Sequence, residues 1–426
     1  TDAETYPMNL TKDSFNVTVD NYSNVNVIVN DGSLTINPKT VILTSATDEK
    51  EYDGTALTNA TVTESGDGFA DGEGATYNVT GSQTIVGSSK YTFTYTLKDG
   101  TKAGNYNITK VEGDLTVKDR DADKKYDVTV TPNGDTVKYD GTAKSVSGFV
   151  NEADGKIAVT AENGITYYVT GLTAGAAGTD AGEYPVDVTE TAKVEDAAGH
   201  DVTAQFNVSV GSAKLIISKR DVTLTSATET KEYDGTALTK KEVTVGGDGF
   251  VDGQGAAYDV TGSQTLVGSS ENTFTYTLNE GTKADNYTIT THNGTLTVTN
   301  RDAKYEITVE ANSSTDTYDG KEKSVSGFKT LEFKVNGQTY TVSGLSAEAK
   351  GTNAGTYPVN VTGTAVVTDA DGNDVTAQFA VKTENGSLVI NKRSVTLTSA
   401  TDSKPYDGTA LTNNEVTVGR DGFAEG

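Results

Sequence analysis

Apolar and polar residues alternate along most of this chain. In 272–278 (NTFTYTL), 339–343 (TYTVS) and 295–298 (TLTV) every second position is apolar, which is the period of a half-buried β-strand. Thr, Val and Tyr fill these stretches and suit a pleated, partly buried surface. Gly, Asn and Asp cluster between them, as turns require. No sustained 3.6-residue periodicity interrupts the pattern. The prediction is an all-β chain.

The strands come in repeats, and the repeats bound the architecture. Residues 41–120 align with 222–301 without a gap, and 55 of those 80 positions are identical. The pattern begins again at Val395 and runs to Gly426. Between these short modules lie longer ones. Residues 121–220 match 302–393 through YDG (139–141, 318–320), SVSGF (145–149, 324–328), AGxYPV (181–186, 354–359) and DVTAQF (201–206, 374–379). The predicted organisation is therefore the closing part of a long module at 1–38, a short module at 39–120 and a long one at 121–220. A short module at 221–301, a long one at 302–393 and the opening part of a short one at 394–426 follow. The two-module period is 181 residues from Val41 to Val222 and 173 from Val222 to Val395.

Both module types carry YDG near the start, a GTxA segment followed by Tyr, and a closing alternating strand, as one ancestral unit in two versions would. The joints read KDRDA (118–122), SKRDV (218–222), TNRDA (299–303) and NKRSV (391–395). None is a flexible Gly/Ser or Pro-rich linker. Turn signals every 8–12 residues predict small immunoglobulin-like β-sandwich modules, with a β-grasp-like module as the alternative. A tandem array of two alternating lengths with such short joints predicts an extended rod in which each module contacts its neighbours. The expected core of a short module is Leu224, Tyr233, Leu238, Val243, Phe250, Tyr258, Leu266, Phe274, Tyr276, Tyr287, Ile289, Leu296 and Val298.

Composition narrows the function. Hydrophobic residues make up 34% of the 426, below the roughly 45–50% usual for globular chains, so each module has a thin core. With 34 basic against 60 acidic residues the net charge is −26. Phosphate contacts need a basic face, so a nucleic-acid partner is not expected, nor docking on anionic lipid. There is no Cys, which removes disulfides, thiolate metal sites and cysteine nucleophiles. The longest apolar runs, such as 215–217, span no membrane. No signal peptide or anchoring tail is read, so an exported parent protein would hold this chain as an internal piece.

Candidate chemistry is sparse. YDG reads as an inward Tyr followed by a tight turn in which Gly takes positive φ. In GTxA…Y, the Tyr is placed to anchor a sandwich corner through its hydroxyl. The acidic loops offer hard oxygens suited to calcium: Asp369, Asp371, Asn373 and Asp374 in DADGND, and Asp67, Asp71 and Glu73 in DGFADGEG. Glu73 becomes Gln254 in the second copy. Asp119, Asp121 and Asp123 crowd one joint. A Lys–Asn amide cross-link beside a buried acid would draw on Lys50 and Asn105, or Lys231 and Asn286, with Asp53 or Asp234 as the acid. Each of these sets also reads as ordinary turn and surface residues. His200 and His292 stand in different module types with no repeated partners, which disfavours a Ser-His-Asp site. No module carries a unique insertion. The chain is read as non-catalytic, requiring no cofactor, with calcium as the one candidate ligand.

The YDG turn, the AGxY segment and the closing GxLxIxxR strand resemble the MBG-type and YDG-type tandem repeat domains of large bacterial cell-surface, adhesin-like proteins. The resemblance covers essentially the whole chain. It implies an extracellular, cell-wall-associated setting, and it supplies no catalytic residues. The reading is a stalk segment that holds a functional tip away from the cell. Two alternatives are a repeated low-affinity module binding a host glycan or protein, and a repeat of a self-associating surface fibre or sheath.

Overall fold

A computed structural model describes residues 1–425, and the chain is all-β. Among the described residues the only helical pieces are single 3₁₀ turns. Four of the five stand immediately ahead of a Tyr or Phe that opens a strand. No helix among the described residues is long and apolar enough to cross a membrane. The chain divides into two compact units, Thr1–Ser218 and Lys219–Gly426.

In the first unit, Thr5–Pro7 pairs antiparallel with Ser33–Thr35. The strand Lys39–Ser45 then lies between Val62–Gly66, antiparallel, and Tyr106–Val111, parallel. The chain crosses to a second sheet at Ala46–Thr47. There Asp48–Glu51 runs parallel to Asp114–Lys118, which also pairs antiparallel with Gly87–Lys90. Ala75–Val79 and Phe93–Leu97 form a separate ribbon. The residues beyond repeat the scheme: Tyr126–Val130 is parallel to Phe206–Val210, and Asp135–Lys138 is parallel to Lys214–Ser218. A four-stranded sheet of Glu152–Ala153, Lys156–Thr160, Thr166–Thr170 and Lys193–Glu195 covers the side. The extra residues at 150–165 thus form a longer hairpin, turned by Asp154 and Gly155 at positive φ.

The second unit uses the same pairings. Arg220–Ser226 lies between Val243–Gly247 and Tyr287–His292, and Glu229–Glu232 is parallel to Gly294–Thr299. Tyr305–Glu310 and Ser314–Thr317 are parallel to Phe379–Glu384 and Gly386–Asn391. One strand of 14 residues, Gln338–Gly351, replaces the two strands Thr166–Thr170 and Thr173–Gly178, and it bends at a bulge beside Gly344.

These parallel ladders have a consequence for how chain segments follow one another. Lys39 is level with Tyr106 at one end, and Glu51 is level with Lys118 at the other. Opening and closing strands run the same way, so the chain enters a module at one pole and leaves at the opposite pole. An antiparallel first–last pairing would return it to the entrance.

The core follows the strand alternation. Val41, Leu43, Leu115, Val117, Val222, Leu224, Leu296 and Val298 are all 0–1% exposed. Of the residues expected inside the second short module, Tyr276 instead stands on the surface, as does its counterpart Tyr95, at 37% and 36% exposure. Each belongs to a two-stranded ribbon, and a ribbon has too little width to cover its own inner face.

Candidate functional site: the module joints

The YDG turn is built as its residues dictate. All five glycines have φ between 74° and 81°, a region where a side chain is strained. The Asp before each Gly folds back on the turn. Asp53 Oδ1 accepts hydrogen bonds from Thr55 N at 2.8 Å and Thr55 Oγ1 at 2.7 Å, and Asp140, Asp234 and Asp407 do the same with Thr142, Thr236 and Thr409. A Lys pairs with each acid. It precedes the Asp in short modules (Lys50, Lys231, Lys404) and follows it in long ones (Lys144, Lys323).

These contacts hold the carboxyls below their usual range. At Asp53 and Asp234 burial, the largest single influence, acts the other way, but the Lys and Thr donors together outweigh it. At Asp140 and Asp319 the Lys ammonium is the main cause. A carboxyl lowered in the folded state stabilises the fold above its ordinary pKa, and that contribution disappears as pH falls through the lowered value. Asp140→Asn is therefore expected to lower the melting temperature at pH 6 and to cost progressively less below about pH 4. Melting curves of the two proteins from pH 7 to pH 2 measure this, and a pH-independent gap would refute it.

Tyr52 and Tyr233 are 1% exposed. Each packs against the long module that follows it. Tyr52 joins a core cluster that continues through Tyr126, Val128, Tyr167 and Phe206, and Tyr233 joins one that continues through Ile307, Tyr340 and Phe379. Burial, and next the Tyr167 hydroxyl beside it, push the Tyr52 phenol up. YDG is thus half of an inter-module joint.

The other half comes from three places in the long module. The first is the ring of Tyr167, whose hydroxyl comes so near that a Cβ on Gly54 would sit 2.3 Å from it. The Tyr340 hydroxyl stands at the same distance from a Cβ on Gly235. The second is Asn163, whose Nδ2 donates to Asp53 O at 2.9 Å and to the Tyr167 hydroxyl at 3.0 Å. The third is the buried Gln205. Its Oε1 accepts from Arg120 N at 2.9 Å, and its Nε2 donates to Asp119 at 2.6 Å. Gln378 repeats these bonds with Arg301 N at 3.0 Å and Asn300 at 2.6 Å.

Arg120 closes the joint. Its Nη1 donates back to Tyr52 O at 2.9 Å and its Nε forward to Lys124 O at 2.6 Å, while the guanidinium lies 4.0 Å from the centroid of the Tyr126 ring. Arg301 does the same, with Tyr233 O at 3.1 Å, Ala303 O at 2.9 Å and the Tyr305 ring at 4.1 Å. A planar, always-charged fork suits this combination of carbonyl donation and ring stacking. Sequence reasoning gave these arginines no role. The signal that could have found them is the recurrence of Arg at one offset in all four joints.

The copies are not identical. Asn336, which corresponds to Asn163, donates instead to the Tyr305 hydroxyl at 2.7 Å, and the buried Tyr340 hydroxyl is left without a hydrogen-bond partner. Removing a satisfied buried hydroxyl loses a bond, while removing an orphaned one relieves a cost. Tyr167→Phe is expected to destabilise by about 1 kcal/mol and Tyr340→Phe to be neutral or stabilising. Urea unfolding of both variants checks the sign of the difference.

The reverse joint, long to short, uses the GTxA segments. Ala3 N donates to Asn105 Oδ1 at 2.7 Å, Asn105 Nδ2 reaches Asp2 at 3.3 Å, and Lys102 pairs with Asp2 at 2.6 Å. Arg393 folds forward onto the carbonyls of Asp421 and Gly422 and donates back to Tyr318 O at 3.4 Å. The Tyr of these segments anchors a corner, but in two ways. In long modules it caps its own loop: Tyr6, Tyr184 and Tyr357 donate to Asp2, Asp180 and Asn353 carbonyls at 2.8–2.9 Å. A Cβ on Gly178 or Gly351 would strike the ring. In short modules the hydroxyl reaches the acidic loop. Tyr106 accepts from Ala70 N at 3.0 Å and donates to Glu73 at 2.6 Å, and Tyr287 pairs likewise with Val251 N and Gln254.

That placement decides how the candidate ligands are used. Glu73 is the acceptor for Tyr106, a task Gln254 performs equally. Asp67 accepts from Thr40 N at 2.9 Å at the start of a strand, and Asp71 is exposed. Asp369 accepts from the backbone of Asp371 and Asn373 and from Asn373 Nδ2, and Asp374 accepts from Thr376. These are turn-closing bonds. In the counterpart turn Asp196 pairs with His200 at 2.8 Å. Asp121 pairs with Lys124, which also reaches Glu51, and Asp119 holds Gln205. Among the described residues no group of three or more His, Cys, Asp or Glu is placed to hold a metal.

The structure does not bring Lys50 and Asn105 together. Lys50 is level with Val117 near the exit of its module, and Asn105 precedes the strand that starts at the entrance. Lys50 is instead bonded to Asp53 and Thr55. Lys231 holds Asp234 and Thr236, and Asn286 lies buried before the equivalent entrance strand.

No protein-family model matches the chain, and no curated protein does. Among solved structures, the Protocadherin GammaB4 extracellular domain is 7% identical, with 85% of this chain and 69% of that one covered and a TM-score of 0.24. Drosophila N-cadherin EC1-4 is 11% identical over 82% of this chain and 100% of its own, with a TM-score of 0.18. The N-terminal four Ig domains of Dscam1 isoform 9.44 are 10% identical over 83% and 100%, with a TM-score of 0.16. At such identities and scores none of the three assigns a function to this chain.

Proposed function

We propose that this chain is a non-catalytic stalk segment of a bacterial surface protein or adhesin, built of MBG-type or YDG-type repeats and projecting a functional tip from the cell. The observation that carries the proposal is the joint closed by Arg120 and repeated by Arg301. In each, one guanidinium ties the end of a short module to the YDG carbonyl behind it and the first aromatic ring ahead of it, over a shared core. A shared core and buried polar bonds limit bending, which a spacer needs and an enzyme or a flexible tether does not. The parallel first and last strands support the same reading, because each module hands the chain on at its far pole. An acidic surface keeps such segments soluble and discourages edge-to-edge pairing.

Small-angle scattering of the whole chain tests this, with calcium and then with chelator. The expected result is an elongated particle with the same maximum dimension in both. A compact globule would overturn the proposal. An elongated particle that shortens only in chelator would place calcium in the mechanism, at Asp67, Asp71, Asp369, Asp371 or Asp374.

One observation favours the second reading, a repeated weak binding module. Tyr95 and Tyr276 stand exposed at the same place in both short modules, each between two threonines, and repeated weak sites gain by multiplicity. A glycan array probed with the chain and with the Tyr95→Ala, Tyr276→Ala double variant checks it.

A further inference from the structure

A chain can leave a module at the far pole without its first and last strands being neighbours. Here they are neighbours twice in every complete module. In residues 39–118 the opening segment pairs with the closing segment through Lys39–Ser45 with Tyr106–Val111 at the entrance, and through Asp48–Glu51 with Asp114–Lys118 at the exit. The other three complete modules repeat both parallel ladders. A pull along the chain draws the opening segment back through the entrance and the closing segment out through the exit. The parallel partners must then slide past each other lengthwise, which strains all the evenly spaced bonds of a ladder together. A pull across the strands opens the same bonds one at a time.

Between its two ladders each short module is also pinned. Where both segments cross from one sheet to the other, the buried Ser45 donates to Tyr91 O at 2.7 Å and accepts from Gly113 N at 3.0 Å. Ser226 makes the same bonds with Asn272 O at 2.5 Å and Gly294 N at 2.9 Å. A Cβ on Gly113 would lie 2.3 Å from Ala46 O, and one on Gly294 would lie 2.4 Å from Ala227 O. The two segments therefore pass backbone against backbone.

We propose that this chain has a load-bearing function: it carries tension along its length, and the paired opening and closing segments of each complete module are the element that resists. Projecting a tip asks only for resistance to bending; this function adds resistance to pulling. The modules do not resist equally. Lys39–Ser45 and Arg220–Ser226 each have a second, antiparallel neighbour, whereas among the described residues Tyr126–Val130 and Tyr305–Glu310 each pair with one strand. Long modules therefore yield before short ones.

Single-molecule force spectroscopy of the full chain tests this, with introduced cysteines as handles, since the chain has none of its own. Thr40→Cys with Lys118→Cys loads residues 39–118 from pole to pole, along the strands. Thr40→Cys with Asn107→Cys pulls apart two level neighbours at the entrance, across the strands. All three positions are exposed, so circular dichroism of both variants should match the parent. At one loading rate the first pair should need a force about threefold or more higher than the second, because a whole ladder shares the load and forced unfolding follows the unfolding barrier. Equal forces in the two directions would overturn the proposal. Pulled through tags at its two ends, the parent should release its long modules before its short ones, told apart by the length each frees. Release in the opposite order would also overturn it. Neither outcome depends on the particle dimension that scattering measures, so this function and the stalk reading can fail separately.

Discussion

Gly54→Ala is expected to destabilise the joint between residues 39–120 and 121–218 by about 2–4 kcal/mol. Two costs add. The backbone at Gly54 has φ +77°, which an L side chain adopts at a penalty of about 1 kcal/mol. The new Cβ would lie 2.3 Å from the Tyr167 hydroxyl and 2.8 Å from Ile165 Cδ1, so the long module must move away. Gly408 provides the control. It has φ +74° and nothing within 4 Å, so Gly408→Ala carries the backbone cost alone, about 1 kcal/mol. Hydrogen exchange over 48–57 and 161–169 for Gly54→Ala, and over 402–411 for Gly408→Ala, reads the difference. Equal effects at Gly54 and Gly408 would mean that the glycine serves the turn and not the joint.

Arg120→Ala is the second large effect, at about 2–4 kcal/mol. It removes a charge-assisted bond to a partly buried carbonyl, a second bond to Lys124 O and the stacked face of Tyr126. The expected signature is loss of coupling as well as stability: residues 39–118 and 126–218 should unfold in separate transitions in urea where the parent shows one. Arg120→Lys keeps the charge but has neither the fork nor the plane, so it should recover less than half of the loss. Arg301→Ala should reproduce the result in the second unit. A lysine variant indistinguishable from the parent would show that charge alone carries the contact.

Many local features are legible in the residues themselves. Alternation in FTYTL and TLTV marks strands because a strand's two faces meet different surroundings. YDG announces a turn because Asp can bond its own backbone two residues on and Gly accepts positive φ. The repeat of 41–120 in 222–301 means that whatever one copy does, the other nearly does. Even the hydroxyl anchor of the GTxAxxY tyrosine is legible as a type of contact.

The partners are not legible in this way. Asn105, a cross-link candidate by sequence, is the seat of Ala3, 102 residues earlier. Glu73, a calcium candidate by sequence, is the acceptor for Tyr106. Its change to Gln254 weakens a metal set while preserving the bond to the tyrosine. Tyr276 has the alternation of a core residue, yet it stands 37% exposed on a two-stranded ribbon.

What the sequence by itself determined about this protein is therefore the set of local states: strands, turns, the positions of positive φ, and the order in which they repeat. Those depend on interactions within a few residues, which the chain carries wherever it goes. The tertiary structure alone decided which edges pair in parallel, and which module buries a given YDG tyrosine. It also decided that Arg120 and Arg301, each one basic residue in a short string of charged and polar ones, hold two modules together. Tyr52 and Tyr233 are each 1% exposed only in the company of Tyr167 or Tyr340, because burial belongs to the neighbour that packs against a residue and not to the residue itself.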